Sequence, residues 1–162
     1  MNKRTYKFAH NWNISHELNI QKTVVNEVIT EYIKYCKELL ANGEPVDFYG
    51  LVSITPEVVN TNYYKTNAYI CRVVASRLAL TYYTVYNIIS LYFRDSIEGL
   101  KKGQVVEIRS LVTIKPLMSN GIVTNIHSHL SQTLKNNIGV SELRVHTSKI
   151  LKEMIKEPCE EN

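Results

Sequence analysis

A chain of 162 residues, 44% hydrophobic and 21% charged, has the make-up of one compact domain or two small intertwined ones, so disorder is excluded as the default. No apolar run approaches the length of a bilayer span, and the basic start MNKRTYKFAHNWN lacks the apolar stretch of a secretory signal. The net charge of +4 is uneven: residues 1–60 carry six Lys/Arg against seven Asp/Glu, residues 61–162 thirteen against eight, so a polyanion contact is expected in the second half.

In chain order, KFAHNWNISHELNI offers Phe8, Trp12 and Leu18 among several Asn and His, which predicts a short or frayed first helix. Val25, Val28, Ile29, Tyr32, Cys36, Leu39 and Leu40 then recur at steps of three and four, the face of a long helix that stops at Gly43. The period changes to two over Val46, Phe48, Val52 and Ile54, predicting a tight β-hairpin ended by Pro56. NAYICRVVASRLAL predicts a helix with Ile70, Val73, Val74 and Leu78 on one face. Thr81 is the expected cap of a second long helix carrying Val85, Ile88, Ile89, Tyr92, Phe93, Ile97 and Leu100, which stops at Gly103. A second hairpin follows over Val106, Ile108, Val112 and Ile114, ended by Pro116. Beyond it, Asn120-Gly121 signals a turn, SELRVHT a strand, and SKILKEMIKE a short helix capped by Thr147 or Ser148, with Ile150, Leu151, Met154 and Ile155 inward.

Residues 20–57 lie over residues 80–117 at a constant offset of sixty, with identities that include Val25/Val85, Tyr32/Tyr92, Gly43/Gly103, Leu51/Leu111 and Pro56/Pro116. A repeat of this length is a supersecondary unit written twice. Helix, helix ending in L-x-x-G, hairpin, excursion, strand, short helix: this order resembles the bacterial and phage HU/integration host factor family. The likeness is densest in the body over residues 67–116, with its hairpin GQVVEIRSLVTI, and in RVHTSKILK at 144–152. It implies an α+β, mainly α, HU/IHF-like fold duplicated within the chain. Residues 1–60 form a truncated unit without an arm; residues 61–162 form a complete unit with an arm-like excursion at 117–143 and a C-terminal helix at 148–157. Since the family fold needs two bodies to close one core, the expectation is a single-chain pseudo-dimer; the other arrangement is two similar units that each pair with a second chain.

The resemblance places Lys149 and Lys152 on the family's phosphate-facing lysines and His146 on a third basic position. Arg144, Lys101, Lys102, Arg109 and Lys115 complete the candidates for DNA-phosphate contact; as plain chemistry they also suit solvated helix ends and strand faces. Family members wrap DNA with two arms whose tip proline wedges between base pairs. Here residues 117–143 hold no proline and, of Lys and Arg, only Lys135, so strong proline-wedge bending is not expected. The tyrosines, including Tyr63-Tyr64 and Tyr82-Tyr83, are expected to pack in the core, an interface or strand edges, and His127-x-His129 to lie in a polar loop. No catalytic motif stands out, which predicts a non-enzyme without metal, cofactor or small-molecule substrate. The three widely spaced cysteines, Cys36, Cys71 and Cys159, suit a reducing compartment.

The expected function is sequence-tolerant double-stranded DNA binding through the basic second half. The alternative is a virion-associated structural or assembly module of a bacteriophage, contacting copies of itself or other protein subunits. The corresponding locations are the cytoplasm, with the nucleoid, or the virion; a secreted or membrane protein is not expected.

Overall fold

The computed structural model describes residues 7–57, 59, 63–132, 134 and 143–155, and for 7–12 and 150 the backbone alone. These residues form α1 (Lys7–Leu18), α2 (Lys22–Ala41), β1 (Val46–Phe48), β2 (Val52–Pro56), α3 (Asn67–Leu78), α4 (Tyr82–Lys101), β3 (Val106–Ile108), β4 (Val112–Ser119), β5 (Ile122–Leu130), β6 (Leu143–Thr147) and a short α5 (Lys149–Met154). Lys135, Glu142, Lys156, Cys159 and, of the 117–143 excursion, residues 133 and 135–142 fall outside the described residues.

The helices end where their residues stop supporting them. Thr66, Thr81 and Ser148 cap α3, α4 and α5, each hydroxyl accepting the backbone N–H three residues on, from Tyr69, Thr84 and Leu151. At the other end of α2 and α4, Gly43 and Gly103 take φ of 77° and 78°, and the next N–H groups, of Glu44 and Gln104, return to the carbonyls of Leu39 and Gly99. That closes orphan carbonyls in a conformation glycine adopts without a Cβ penalty. The first helix is not shortened: α1 and α3 both run twelve residues.

Two three-stranded antiparallel sheets stand where small hairpins were expected, in the orders β1-β2-β6 and β3-β4-β5. In the second, Asn120 and Gly121 both take positive φ (53° and 78°), the geometry of a two-residue hairpin turn, and join β4 to β5 directly. His127 and His129 therefore lie in a strand, not in a loop. In the first sheet, β6 returns from the far end of the chain to pair with β2, Val52 opposite Thr147 and Ile54 opposite Val145.

This pairing corrects the expected architecture. The chain is α+β with substantial sheet, not mainly α. Helix and hairpin bounds do recur sixty residues apart, yet the strands do not divide at residue 60 into a truncated and a complete HU/IHF-like unit, so the pseudo-dimer built from them is not supported. The physical reason lies in β1 and β2, three and five residues long. So short a hairpin is marginal alone and needs a third strand, which the described residues before 60 do not supply and β6 does.

One core joins both halves. Phe93 of α4 lies 6.4 Å from Tyr32 of α2 and 6.1 Å from Phe48 of β1, ring centroid to ring centroid, with Ile29, Leu40, Ile54, Ile88, Leu100 and Leu111 at 1% exposure or less. Each such side chain contributes roughly 1.5–3 kcal/mol by leaving water. Within this core the Tyr32 hydroxyl donates to Asn67 Oδ1 at 2.7 Å, fixing the start of α3 against α2, while Asn67 Nδ2 has no partner. Burial pushes the Tyr32 hydroxyl well above its ordinary range, so it stays a donor at all working pH values. Tyr32→Phe should cost about 1–3 kcal/mol by leaving the buried Asn67 Oδ1 only the weak Cys71 thiol donor at 3.6 Å, read as a lower urea midpoint at unchanged slope.

Helix α1 is held by buried Ile14 and by Glu17, whose carboxylate takes two bonds of 3.0 Å from Arg94 of α4. The guanidinium lowers the Glu17 pKa, so the pair's stabilisation is present above the ordinary carboxylate range and is lost as pH falls through the depressed value. Both side chains are about half exposed (49% and 51%), which limits the contribution to about 1 kcal/mol or less. Glu17→Gln is expected to lower the melting temperature slightly at neutral pH and not at all in strong acid.

Candidate nucleic-acid interface

The alternation of β6 decides where its cations point. Leu143, Val145 and Thr147 are half-buried, while Arg144 and His146 are exposed. In the pairing register Arg144 lies opposite Thr55 and His146 opposite Ser53, so all four share the outward face of the first sheet. Thr147 turns the other way and donates to Ser128 Oγ of β5 at 2.6 Å, tying the strand's end to the second sheet. The Ser148 cap then opens α5, which presents exposed Lys149 and half-buried Lys152 while Leu151 and Ile155 enter the core at 1% and 3% exposure.

Of the eight basic residues expected to meet phosphate, four therefore follow one another along β6 and α5. None of these four forms an ion pair among the described residues. Lys115 is exposed on the second sheet, opposite His127, with His129 beside it on the same face, the two imidazole rings nearly parallel (16°) and 6.4 Å apart. Lys102 is exposed just past α4.

The remaining two serve the fold. The Lys101 side chain is 8% exposed and its ammonium lies 3.4 Å from Glu98. Arg109 sits half-buried, donating from Nη1 to Thr30 Oγ1 at 2.9 Å across to α2, with its Nε buried and unpartnered. Lys101 lies too deep in the packing to track a strand of phosphates, and the Arg109 guanidinium is engaged by Thr30.

One group on the first sheet's outward face opposes an anion. Asp47, the single acidic residue in its three strands, stands opposite Ser53 and accepts from the Gly50 N–H at 3.1 Å. Burial raises its pKa despite that hydrogen bond.

Several groups outside the expected set belong to the same surface. Tyr64 reaches across β1 so that its hydroxyl meets Thr55 Oγ1 at 2.8 Å, bringing an aromatic ring, 44% exposed, to the edge of the Arg144 face. The signal for His127 and His129 was present as period-two alternation over Ile126–Leu130; nothing local marks Tyr64, because its place depends on residue 65 bridging to Val46. No group of three or more His, Cys, Asp or Glu suited to a metal ion occurs among the described residues. The thiols of Cys36 and Cys71 are buried, the latter pushed up to about 12, so neither is a nucleophile at neutral pH. No described helix is long and apolar enough to cross a membrane.

Compared with protein-family models, curated proteins and solved structures, the chain matches none of them.

The Asp47 carboxylate is less favourable in the folded than in the unfolded chain once pH exceeds its ordinary pKa, and the effect vanishes when both states are protonated. Asp47→Asn keeps an acceptor for Gly50 and should raise the melting temperature at neutral pH but not in acid. By removing a negative charge from the basic face it should also tighten binding of a polyanion by about two- to threefold at low salt.

Proposed function

We propose that this chain is a non-enzymatic, sequence-tolerant binder of double-stranded DNA that holds phosphates along β6 and α5. One observation carries the reading. Arg144 and His146 alternate outward on a strand that runs through a capped turn into Lys149 and Lys152, with no acidic partner drawn to any of them among the described residues. Exposed cations lacking an internal counterion leave counterion release to the ligand, which supplies most non-specific affinity. Lys115, with His127 and His129 on the outward face of β4 and β5, extends the basic character to the second sheet. The mechanism is phosphate positioning on a rigid scaffold: strand and capped helix hold the cations, and no base edge needs to be read. Such a protein would work beside intracellular DNA, or in a virion if encoded by a phage.

The assembly reading has its own support at the tip of the β4–β5 hairpin. There Leu117, Met118 and Ile122 are exposed at 44%, 47% and 66%, an apolar cluster of the kind that proteins use to meet other proteins. Met118 also leans on the end of α4, since a Cβ placed on Gly103 would meet its sulfur and methyl at 3.0 Å. The tip is therefore braced, and it is presented as a fixed knob.

The two readings separate on salt. Duplex DNA of random sequence should bind with an affinity that falls steeply as salt rises. Lys149→Glu with Lys152→Glu should weaken binding about tenfold at every sequence and reduce the salt slope by about two. A dissociation constant weaker than about 100 μM at physiological salt would remove the DNA reading and leave the protein-contact one.

A further inference from the structure

We propose that the exposed tyrosines beside the first sheet form a stacking track for the unpaired bases of single-stranded nucleic acid. The proposal rests on the phosphate-binding reading above and names the form of strand that the same surface takes.

Contacts join parts of the track, and neighbouring positions in the chain join the rest. Thr55, the cross-strand neighbour of Arg144, is hydrogen-bonded to Tyr64. The next residue, Lys65, paired with Glu44 at 3.6 Å, places its ammonium 4.6 Å from the centre of the Tyr69 ring, which stacks on Tyr35. Arg72 stands one helical turn beyond Tyr69 on α3 and reaches the Tyr82 ring at 6.0 Å, and Tyr82 meets Tyr83 edge to face at 5.7 Å. Along this path Tyr63 is 83% exposed, Tyr83 75%, Tyr64 44% and Tyr69 37%. A ring left in water forgoes the stabilisation that its burial would bring, so Tyr63 and Tyr83 contribute little to the core. Rings interleaved with cations are the arrangement that binds single strands without regard to sequence: aromatic faces take the bases, and arginine and lysine take the phosphates. The path begins at Arg144, where the proposed phosphate surface lies.

The same chemistry excludes a fully paired duplex from the track. In a duplex the base faces are already stacked on one another, and a tyrosine beside it meets only backbone. The tyrosines therefore add affinity for unpaired strands and none for paired ones. A protein partner for these rings would show the opposite pattern, since their loss would leave nucleic-acid binding unchanged.

The test is fluorescence anisotropy with labelled oligothymidine of roughly twenty nucleotides and a random duplex of equal length, at one salt concentration. The full chain should bind oligothymidine about tenfold more tightly than duplex. Tyr63→Ala with Tyr64→Ala, and separately Tyr83→Ala, should each lower oligothymidine affinity by about fivefold or more and leave duplex affinity unchanged. Tyr63→Phe with Tyr64→Phe should retain most of it, because a phenyl ring still stacks; this also covers loss of the Thr55 hydrogen bond, and Tyr83→Ala touches no such bond. Oligothymidine bound no better than duplex, or alanine variants that weaken both or neither, would overturn the stacking track while leaving duplex binding intact. Strong oligothymidine binding without duplex binding supports the track and removes the duplex reading; binding to neither removes both.

Discussion

The pairing of β6 with β2 is the constraint on which the arrangement depends. It joins the last described strand to one laid down in the first third of the chain, Pro56 opposite Leu143 and Val52 opposite Thr147. Without it β1 and β2 are a hairpin of three and five residues whose inner face, Val46, Phe48, Val52 and Ile54, lacks a third strand. With it, the register orients every side chain of β6: a slip of one residue would turn Arg144 and His146 into the core and expose Val145. The stability of the first sheet and the outward direction of the cations thus follow from one choice of register. Such a distant pairing closes a long loop, whose entropy the sheet and the core must offset.

The elements themselves were largely legible. Steps of three and four located α2 and α4, Gly43 and Gly103 marked their ends, Thr81 marked the start of α4 and Ser148 that of α5, and Asn120-Gly121 marked the β4–β5 turn, because each of these depends on a few adjacent residues. The neighbour of β6 was not legible. Alternation in LRVHT specifies which side chains share a face, and says nothing about the strand across the hydrogen bonds. The offset of sixty was therefore a true statement about local elements and a poor guide to how the strands assort into sheets. Buried cations were illegible for a similar reason. Lys101 and Arg109 look like any surface cation in one dimension, and only the approach of Glu98 and Thr30 assigns them to the packing. Burial of the tyrosines divided along the same line: Tyr32 and Tyr92 carry the helical period and are buried, whereas Tyr63 and Tyr64 sit between elements and are exposed.

Rigidity is distributed to suit a surface that holds charge in place. The Tyr32–Asn67 bond, the Phe93 ring cluster and the two Arg94–Glu17 bonds tie α1, α2, α3 and α4 into one block. The outward residues of β6 rest on that block through two hydrogen-bonded neighbours: β2 by its ladder, and β5 by the Thr147–Ser128 hydroxyl pair. Cations held this way lose little further freedom when a polyanion arrives, so more of each contact is retained as affinity.

The acidic residues are arranged in keeping with this. Glu31 and Glu38 flank Arg77, Glu44 meets Lys65, Glu17 and Asp95 meet Arg94, and Glu98 meets Lys101. The carboxylates of these pairs neutralise cations on the helical side, and none of them pairs with Arg144, Lys149 or Lys152. A modest net charge is then enough, because a polyanion responds to the local density of unneutralised cations within about a Debye length and not to the total. Asp47 is the exception on that face, and its carboxylate is itself disfavoured by burial and engaged by the Gly50 N–H, which mutes the charge it presents. The hairpin turn that Asp47 braces is the one that brings β2 into line to receive β6, so the one opposing charge is kept there by the fold.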